Sequence, residues 1–209
     1  MSESDHVALP PMLASRDLRK EWWDHLPSTW KEAFITGFLN RLPGSLTEDH
    51  DLQEIAMSPV LRFVGPKGLH PNIVGPLDSA KHLEPLTNLE YLFLTFCELE
   101  SLEGIQSMRN LKSLFIHNNK ISSLEPAGKL VTLQELYCND NQITSLFPLQ
   151  HCHQLKALHC QYNALSNLRG ITRSHSRVMK QFVCLPNDGV SAQEVRRTER
   201  KTGIECVKE

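Results

Sequence analysis

The chain has 209 residues, 40% of them apolar and 22% charged, and a formal net charge of −2. This composition suits one good core or one elongated repeat domain, and the longest apolar runs, such as Ala33 to Leu39, fall far short of a membrane span. Lys/Arg against Asp/Glu is 8 to 12 over residues 1–88, 7 to 7 over 89–176 and 7 to 5 over 177–209, so no segment carries the basic surplus that neutralising nucleic-acid phosphates demands.

Residues 1–15 read as a flexible leader. Their sequence, MSESDHVALPPMLAS, is acidic where a secretory signal is basic, and it holds no sustained apolar stretch. The six cysteines, at 97, 138, 152, 160, 184 and 206, include no Cys-x-x-Cys pair. These features together lead us to expect reduced thiols and a cytoplasmic protein without membrane association.

Residues 16–57 read as an N-terminal helical cap. Leu18, Trp22 and Leu26 recur every four residues, Pro27 breaks that pattern, and Ser28 offers a cap for a second helix bearing Trp30, Phe34 and Phe38. All three tryptophans lie in this stretch. Sealing the open end of the next element is their expected role, with an aromatic ligand cage as the alternative. A short helix over 51–57 and a strand over 60–64 (VLRFV) then make a divergent first unit, and 65–76 (GPKGLHPNIVGP) reads as a long, mobile loop.

From Leu89 the sequence repeats. Leu89, Leu111, Leu133 and Leu155 each stand 22 residues after the last, and every copy reads L-x-x-L-x-[L/I/C]-x-x-[C/N]-x-[L/I]-x-x-L. The five apolar columns hold Leu, Ile or Cys at all 20 positions; at the background apolar frequency, chance agreement is on the order of one in a hundred million. Within each unit the first, fourth and sixth positions bracket a short strand whose alternate side chains point inward. A lone unit cannot bury its apolar face, so stacked units must share a continuous core and a parallel sheet. The ninth column, Cys97, Asn119, Asn141 and Asn163, falls where the chain turns inward. An amide there can satisfy backbone groups that the turn leaves unpaired, and Cys97 is the weaker hydrogen bonder.

Beyond the repeats, 178–185 gives one more apolar strand out of the 22-residue phase. Ser191 followed by Glu194 has the spacing of a capping box, opening a polar helix that Gly203 ends, and Ile204 to Val207 alternates like an edge strand. The basic run Arg196, Arg197, Arg200 and Lys201, interleaved with Glu194 and Glu199, reads as a solvated helix face rather than a binding patch.

The units that begin LEYLFLTFCEL, LKSLFIHNNKI, LQELYCNDNQI and LKALHCQYNAL resemble leucine-rich repeats, specifically the 22-residue kind of internalin-type bacterial proteins and protein-phosphatase regulators. The segments LEGIQSMRNL, LEPAGKLVTL and LFPLQHCHQL are similar to the convex side of that subfamily, and the ending LPNDGVSAQEVRRTERKTGIECV resembles the terminal unit of several bacterial members. The resemblance implies a bacterial protein with a right-handed α/β solenoid of about five to six units. We divide it into a leader (1–15), an N-terminal helical cap (16–57), repeats (58–185, clearest over 80–175) and a C-terminal helix–strand cap (186–209).

The fifth column, Phe93, Phe115, Tyr137 and His159, lies between inward leucines and therefore points out of the concave sheet. With strands about 4.8 Å apart, these rings should form a ladder. Tyr91, Phe96 and Tyr162 flank it, with His117, Asn139, Asp140 and Gln161 as polar neighbours. An exposed aromatic strip edged by polar groups suits protein binding; cross-strand packing that only stabilises the sheet is the competing reading. The site expected to bind a partner protein is thus Tyr91, Phe93, Phe96, Phe115, His117, Tyr137, Asp140, His159 and Tyr162. The resemblance adds a second possibility, a regulatory subunit of an enzyme such as a phosphatase.

A metal- or thiol-dependent enzyme using His151-Cys152-His153 and His159-Cys160 is a third reading, but their columns point in diverging directions, whereas zinc needs converging ligands. No phosphate loop, nucleophile elbow or His-Glu-x-x-His pair occurs. The expectation is a non-catalytic protein without cofactor or metal.

Overall fold

The computed structural model describes residues 8–208. Its centre is a seven-stranded parallel sheet whose spatial order is the chain order: β1 (Val60–Val64), β2 (Tyr91–Thr95), β3 (Ser113–Phe115), β4 (Glu135–Tyr137), β5 (Ala157–His159), β6 (Gln181–Leu185) and β7 (Val207–Lys208). The register of β2 to β5 advances by 22 residues per strand, as in Leu92↔Leu114, Leu114↔Leu136 and Leu136↔Leu158. The fourth, sixth, eleventh and fourteenth columns all face inward, and Leu92, Leu114, Leu136 and Leu158 are fully buried. On the opposite side the chain returns through short 3-10 turns at Ala80–Leu83, Ile105–Ser107, Ala127–Lys129, Phe147–His151 and Arg173–His175. Each turn carries one or more buried apolar side chains or, in the last, the buried His175, so the core is one continuous stack.

Asparagine closes each turn. Asn119 Oδ1 accepts the N–H groups of Cys97 (3.1 Å) and Leu99 (2.9 Å), while its Nδ2 donates to the carbonyls of Leu94, Ile116 and His117. Asn141 accepts from Ile121 N, and Asn163 accepts from Ile143 N. The column continues to Asn187, which accepts from Asn163 N and Leu165 N and donates to Cys160 O and Cys184 O. Asn187 escapes the sequence pattern because the β5–β6 register advances by 24 residues, Ala157 pairing with Gln181. At the other end the buried Cys97 thiol reproduces only the donor half, towards Phe63 O and Thr95 O. The acceptor half is supplied by Asn72, whose Oδ1 takes Val64 N at 2.7 Å. Asn72 thereby ties the 65–76 loop to β1, and Gly65 is required where the loop leaves it, since a Cβ there would lie 1.8 Å from Phe96 O.

The N-terminal cap differs in detail from expectation. Residues 1–7 of the expected leader lie outside the described residues, but residues 8–15 pack onto the body: Leu13 is fully buried and Ala8 O accepts from Asn88 Nδ2. Helix α1 (Arg16–His25) starts at Ser15, whose side chain accepts Leu18 N. Its inner face is Arg19 and Trp23, followed by Leu26, whereas Leu18 is 40% exposed. The face is rotated because Arg19 is drawn inward: its guanidinium makes paired 2.8 Å bonds to the Asp49 carboxylate and a third bond to Leu13 O. Helix α2 (Ser28–Ala33) is preceded by Pro27 as its cap residue, so Ser28 is its first helical residue and caps nothing. It runs into a π-helical turn over Phe34–Phe38. Trp30 and Phe34 meet Phe63 of β1 at ring separations of 6.0 and 5.3 Å, sealing the first strand. Helix α3 (Asp49–Met57) completes the cap.

At the C-terminal end, α4 (Ala192–Thr202) is capped by Ser191 and stopped by Gly203 in the left-handed region. Glu194 does not close a capping box; its carboxylate accepts Leu168 N at 3.3 Å and ties α4 to the last repeat. The expectation of six reduced thiols is corrected here, because Cys184 and Cys206 form a disulfide between β6 and the segment leading into β7. Cys184 continues the inward sixth column below Cys138 and Cys160, a placement hidden by the change of register, whereas Cys206 precedes Val207, the partner of Val183. Cys97, Cys138, Cys152 and Cys160 are free and buried. Among the described residues no helix is long and apolar enough to cross a membrane.

Candidate functional site on the open face of the sheet

Outward positions of successive strands align in rows. The central row is Arg62, Phe93, Phe115, Tyr137, His159 and Val183. Phe93 and Phe115 stack at 4.3 Å with planes 5° apart, Phe115 and Tyr137 at 4.7 Å and 11°, and Tyr137 and His159 at 4.5 Å and 32°. These spacings follow the strand separation, so the sheet itself sets the ladder. All four rings are half-buried. Arg62 and Val183 flank the four rings, and Val207 of β7 continues the row beyond Val183; the 31-residue step from β1 to β2, Val60 pairing with Tyr91, conceals Arg62 from a 22-residue pattern.

The other expected residues fall on either side. Tyr91, 38% exposed, aligns with Ser113 and Glu135, and Ser113 Oγ donates to Glu135 at 2.9 Å. His117 meets Phe96 edge to face at 5.9 Å. Burial holds its imidazole below the usual histidine value, and nearby Asp140 opposes the shift. Desolvation, aided by Glu135, raises the Tyr137 phenol, so the ladder is neutral there at physiological pH. Gln161 Oε1 and His159 Nε2 are buried on this face without hydrogen-bond partners.

Phe96, Asn118, Asp140 and Tyr162 form a further row where the chain leaves the strands, all at φ near +56° (57, 57, 55 and 55°). Asn and Asp are natural in that conformation, whereas bulky aromatics are not. The covering 65–76 loop accounts for Phe96, since Gly68 comes close enough that a Cβ there would lie 2.9 Å from its ring. Tyr162 has no such cover and is 50% exposed. A groove of about 430 Å³ runs beside this row between Phe96, Asn118 and Asp140 and the Lys67–Glu98–Lys120 ion cluster. The structure thus brings the nine expected residues onto one side of the sheet, in four rows rather than one strip, His117 standing in the row between the ladder and the left-handed turns.

The His/Cys groups separate. Cys152 is buried with its thiol towards Ala127 O, His151 and His153 are exposed, and His159 lies on the opposite face of the sheet. Among the described residues, no three His, Cys, Asp or Glu side chains converge as a metal site would require.

Stacked 22-residue strand-and-turn units with an asparagine ladder define a leucine-rich repeat solenoid. The family profile for leucine-rich repeats in paired copies matches residues 87–128 and again 131–172. The chain carries leucine-rich repeats over residues 87–172, and its fold is similar to that of the internalins. Internalin C2 of Listeria monocytogenes superposes with a TM-score of 0.54 at 16% identity, covering 94% of this chain and 96% of its own. Another internalin of that species gives 0.55 at 20% identity over 70% of this chain and 41% of its own, and a leucine-rich repeat protein of Leptospira interrogans gives 0.52 at 17% over 70% and 36%. The chain therefore spans well under half the length of those two structures. No curated protein sequence matches it. Repeats of this class are in general protein-interaction modules and typically non-enzymatic.

Proposed function

We propose that the protein recognises another protein through the concave face of its sheet, with the ring ladder Phe93–Phe115–Tyr137–His159 as the centre of contact. The observation that carries this reading is the stack itself: four half-exposed rings at 4.3–4.7 Å on adjacent strands. Rings already locked by stacking lose little further freedom on binding, and aromatic centres dominate interface energies. Tyr91, Phe96 and Tyr162 extend the apolar area, and His117 and Asp140 supply polar contacts that select among partners.

The test is a quantitative pull-down from native lysate comparing the wild type with a Phe115→Glu/Tyr137→Lys double variant, after circular dichroism has shown both equally folded. A stoichiometric partner retained by the wild type and lost by the variant is the expected result. Equal recovery by both proteins refutes the concave site.

A further inference from the structure

A second surface lies on the convex side, where the last repeat meets α4. A pocket of about 380 Å³ opens there. Its lining is mixed: among polar and charged groups it includes the buried Leu168 and Ile171 and Phe147, which is 54% exposed, an unusual position for a phenylalanine. Arg169, Arg197 and Lys201 stand around it, all exposed. Among the described residues the one carboxylate within ion-pair distance of these cations is Glu194, 3.9 Å from Arg197 and already engaged by Leu168 N. Arg173 fixes the rim by donating from Nε to Lys201 O at 2.9 Å.

The repeat offers an internal comparison. Successive units place Glu103, Glu125, Phe147 and Arg169 at one equivalent convex position, so the flank changes from acidic to aromatic to basic as it reaches the pocket. Residues 166–202 hold eight Lys/Arg against three Asp/Glu, whereas the rest of the chain holds 14 against 21. The basic character is therefore confined to one end.

We propose that this pocket binds an acidic segment of a partner polypeptide, seating an apolar side chain against Phe147 and Ile171 and pairing its carboxylates with Arg169, Arg197 and Lys201. Arginine forks match carboxylates in paired geometry. The pocket's size fits a few side chains, and the acidic remainder of the molecule repels a long polyanion, which argues for a peptide over a nucleic acid or an anionic membrane. The site is independent of the concave ladder.

The probe is a fluorescent peptide of about nine residues, Asp and Glu around a central Phe, titrated with the full chain by anisotropy; its control carries Asn and Gln instead. The wild type is expected to bind the acidic probe at least about tenfold more tightly than the neutral one, and to weaken steeply between about 50 and about 200 mM salt as screening grows. Arg169→Glu/Lys201→Glu should abolish the preference, and Phe147→Ala should weaken binding. Arg109→Glu/Lys129→Glu, with the same change of net charge on earlier units, should retain it. Equal binding of the two peptides, or equal loss in both charge reversals, overturns the proposal. So does tighter binding of a DNA duplex or phosphatidylserine vesicles through the same residues.

Discussion

The asparagine ladder makes a quantitative prediction because its members are unequally loaded. Asn119 satisfies two backbone N–H groups, those of the fully buried Cys97 and Leu99, whereas Asn141 satisfies one, that of Ile121. Truncation to alanine leaves these donors without the amide oxygen that holds them. At about 1–3 kcal/mol for each stranded buried donor, Asn141→Ala should cost about 2 kcal/mol and Asn119→Ala about 4 kcal/mol. For a chain of this size about 2–4 °C of melting temperature is lost per kcal/mol, so the two variants should fall about 4–8 °C and about 8–16 °C below the wild type. Thermal unfolding followed by circular dichroism reads both. Equal shifts, or a milder effect at Asn119, would show that the amides do not carry the turns in proportion to their bonds. Cys97→Asn provides the converse: Val64 N is already held by Asn72 and Leu77 N by Cys97 O, so a new buried acceptor gains no donor and no stabilisation is expected.

The cysteines and the N-terminal cap offer two more tests. In denaturant without reductant, Ellman titration should find four thiols and, after reduction, six; six at the outset would remove the Cys184–Cys206 bond. In the native state the four should stay silent, because burial pushes Cys97 and Cys138 up to about 12 and Cys152 up to about 11. Asp51, fully buried, is raised by desolvation, but bonds from Arg41 at 2.9 and 2.5 Å and from Glu48 N outweigh that and leave its carboxyl below the usual value. A depressed native pKa stabilises above the unfolded value, about 3.9, and that contribution disappears as pH falls through the native one. Tryptophan fluorescence, which reports on this cap through Trp22, Trp23 and Trp30, should therefore show acid loosening below about pH 4; Asp51→Asn should reduce that pH dependence while lowering stability at pH 7, the remainder coming from Asp49 beside Arg19 and Asp78 beside Trp30, both also held below the usual value. An unchanged acid transition in the variant refutes the assignment.

The repeat columns were legible because identical spacing puts identical side chains at identical depths, and a spacing is a one-dimensional fact. Wherever the spacing slips, the pattern loses the residue. The 24-residue step hides Asn187 and the Cys184–Cys206 pair, and the 31-residue step hides Arg62 as the neighbour of Phe93. The cap was misread for a different reason. Periodicity ranks faces by hydrophobicity, so it chose Leu18, Trp22 and Leu26; Leu26 is buried and Trp22 packs against the core, but the paired Arg19–Asp49 bonds turn the helix so that Leu18 is left exposed. Tyr162 shows a third kind of limit. Its column was evident, but only the backbone reveals that it stands in a left-handed turn beyond the strand.

Stability and recognition are often opposed as explanations of an aromatic row, yet here one arrangement is compatible with both. Strands about 4.8 Å apart bring rings to near-ideal stacking distance, and the resulting stack strengthens the sheet. The same stacking fixes the rings before any partner arrives and leaves part of each exposed, which lowers the entropy cost of contact. The ladder also has a length. Three ring separations, 4.3, 4.7 and 4.5 Å, bring its span to roughly 14 Å, slightly more than the width of one helix with its side chains. Beyond it the row changes to the charged Arg62 on one side and the buried Val183 on the other. A single helix or strand of a partner laid across the strands would cover all four rings, whereas a broad flat surface would leave the ends of its own contact over unlike chemistry. The concave site as proposed therefore suits one protruding element of a partner.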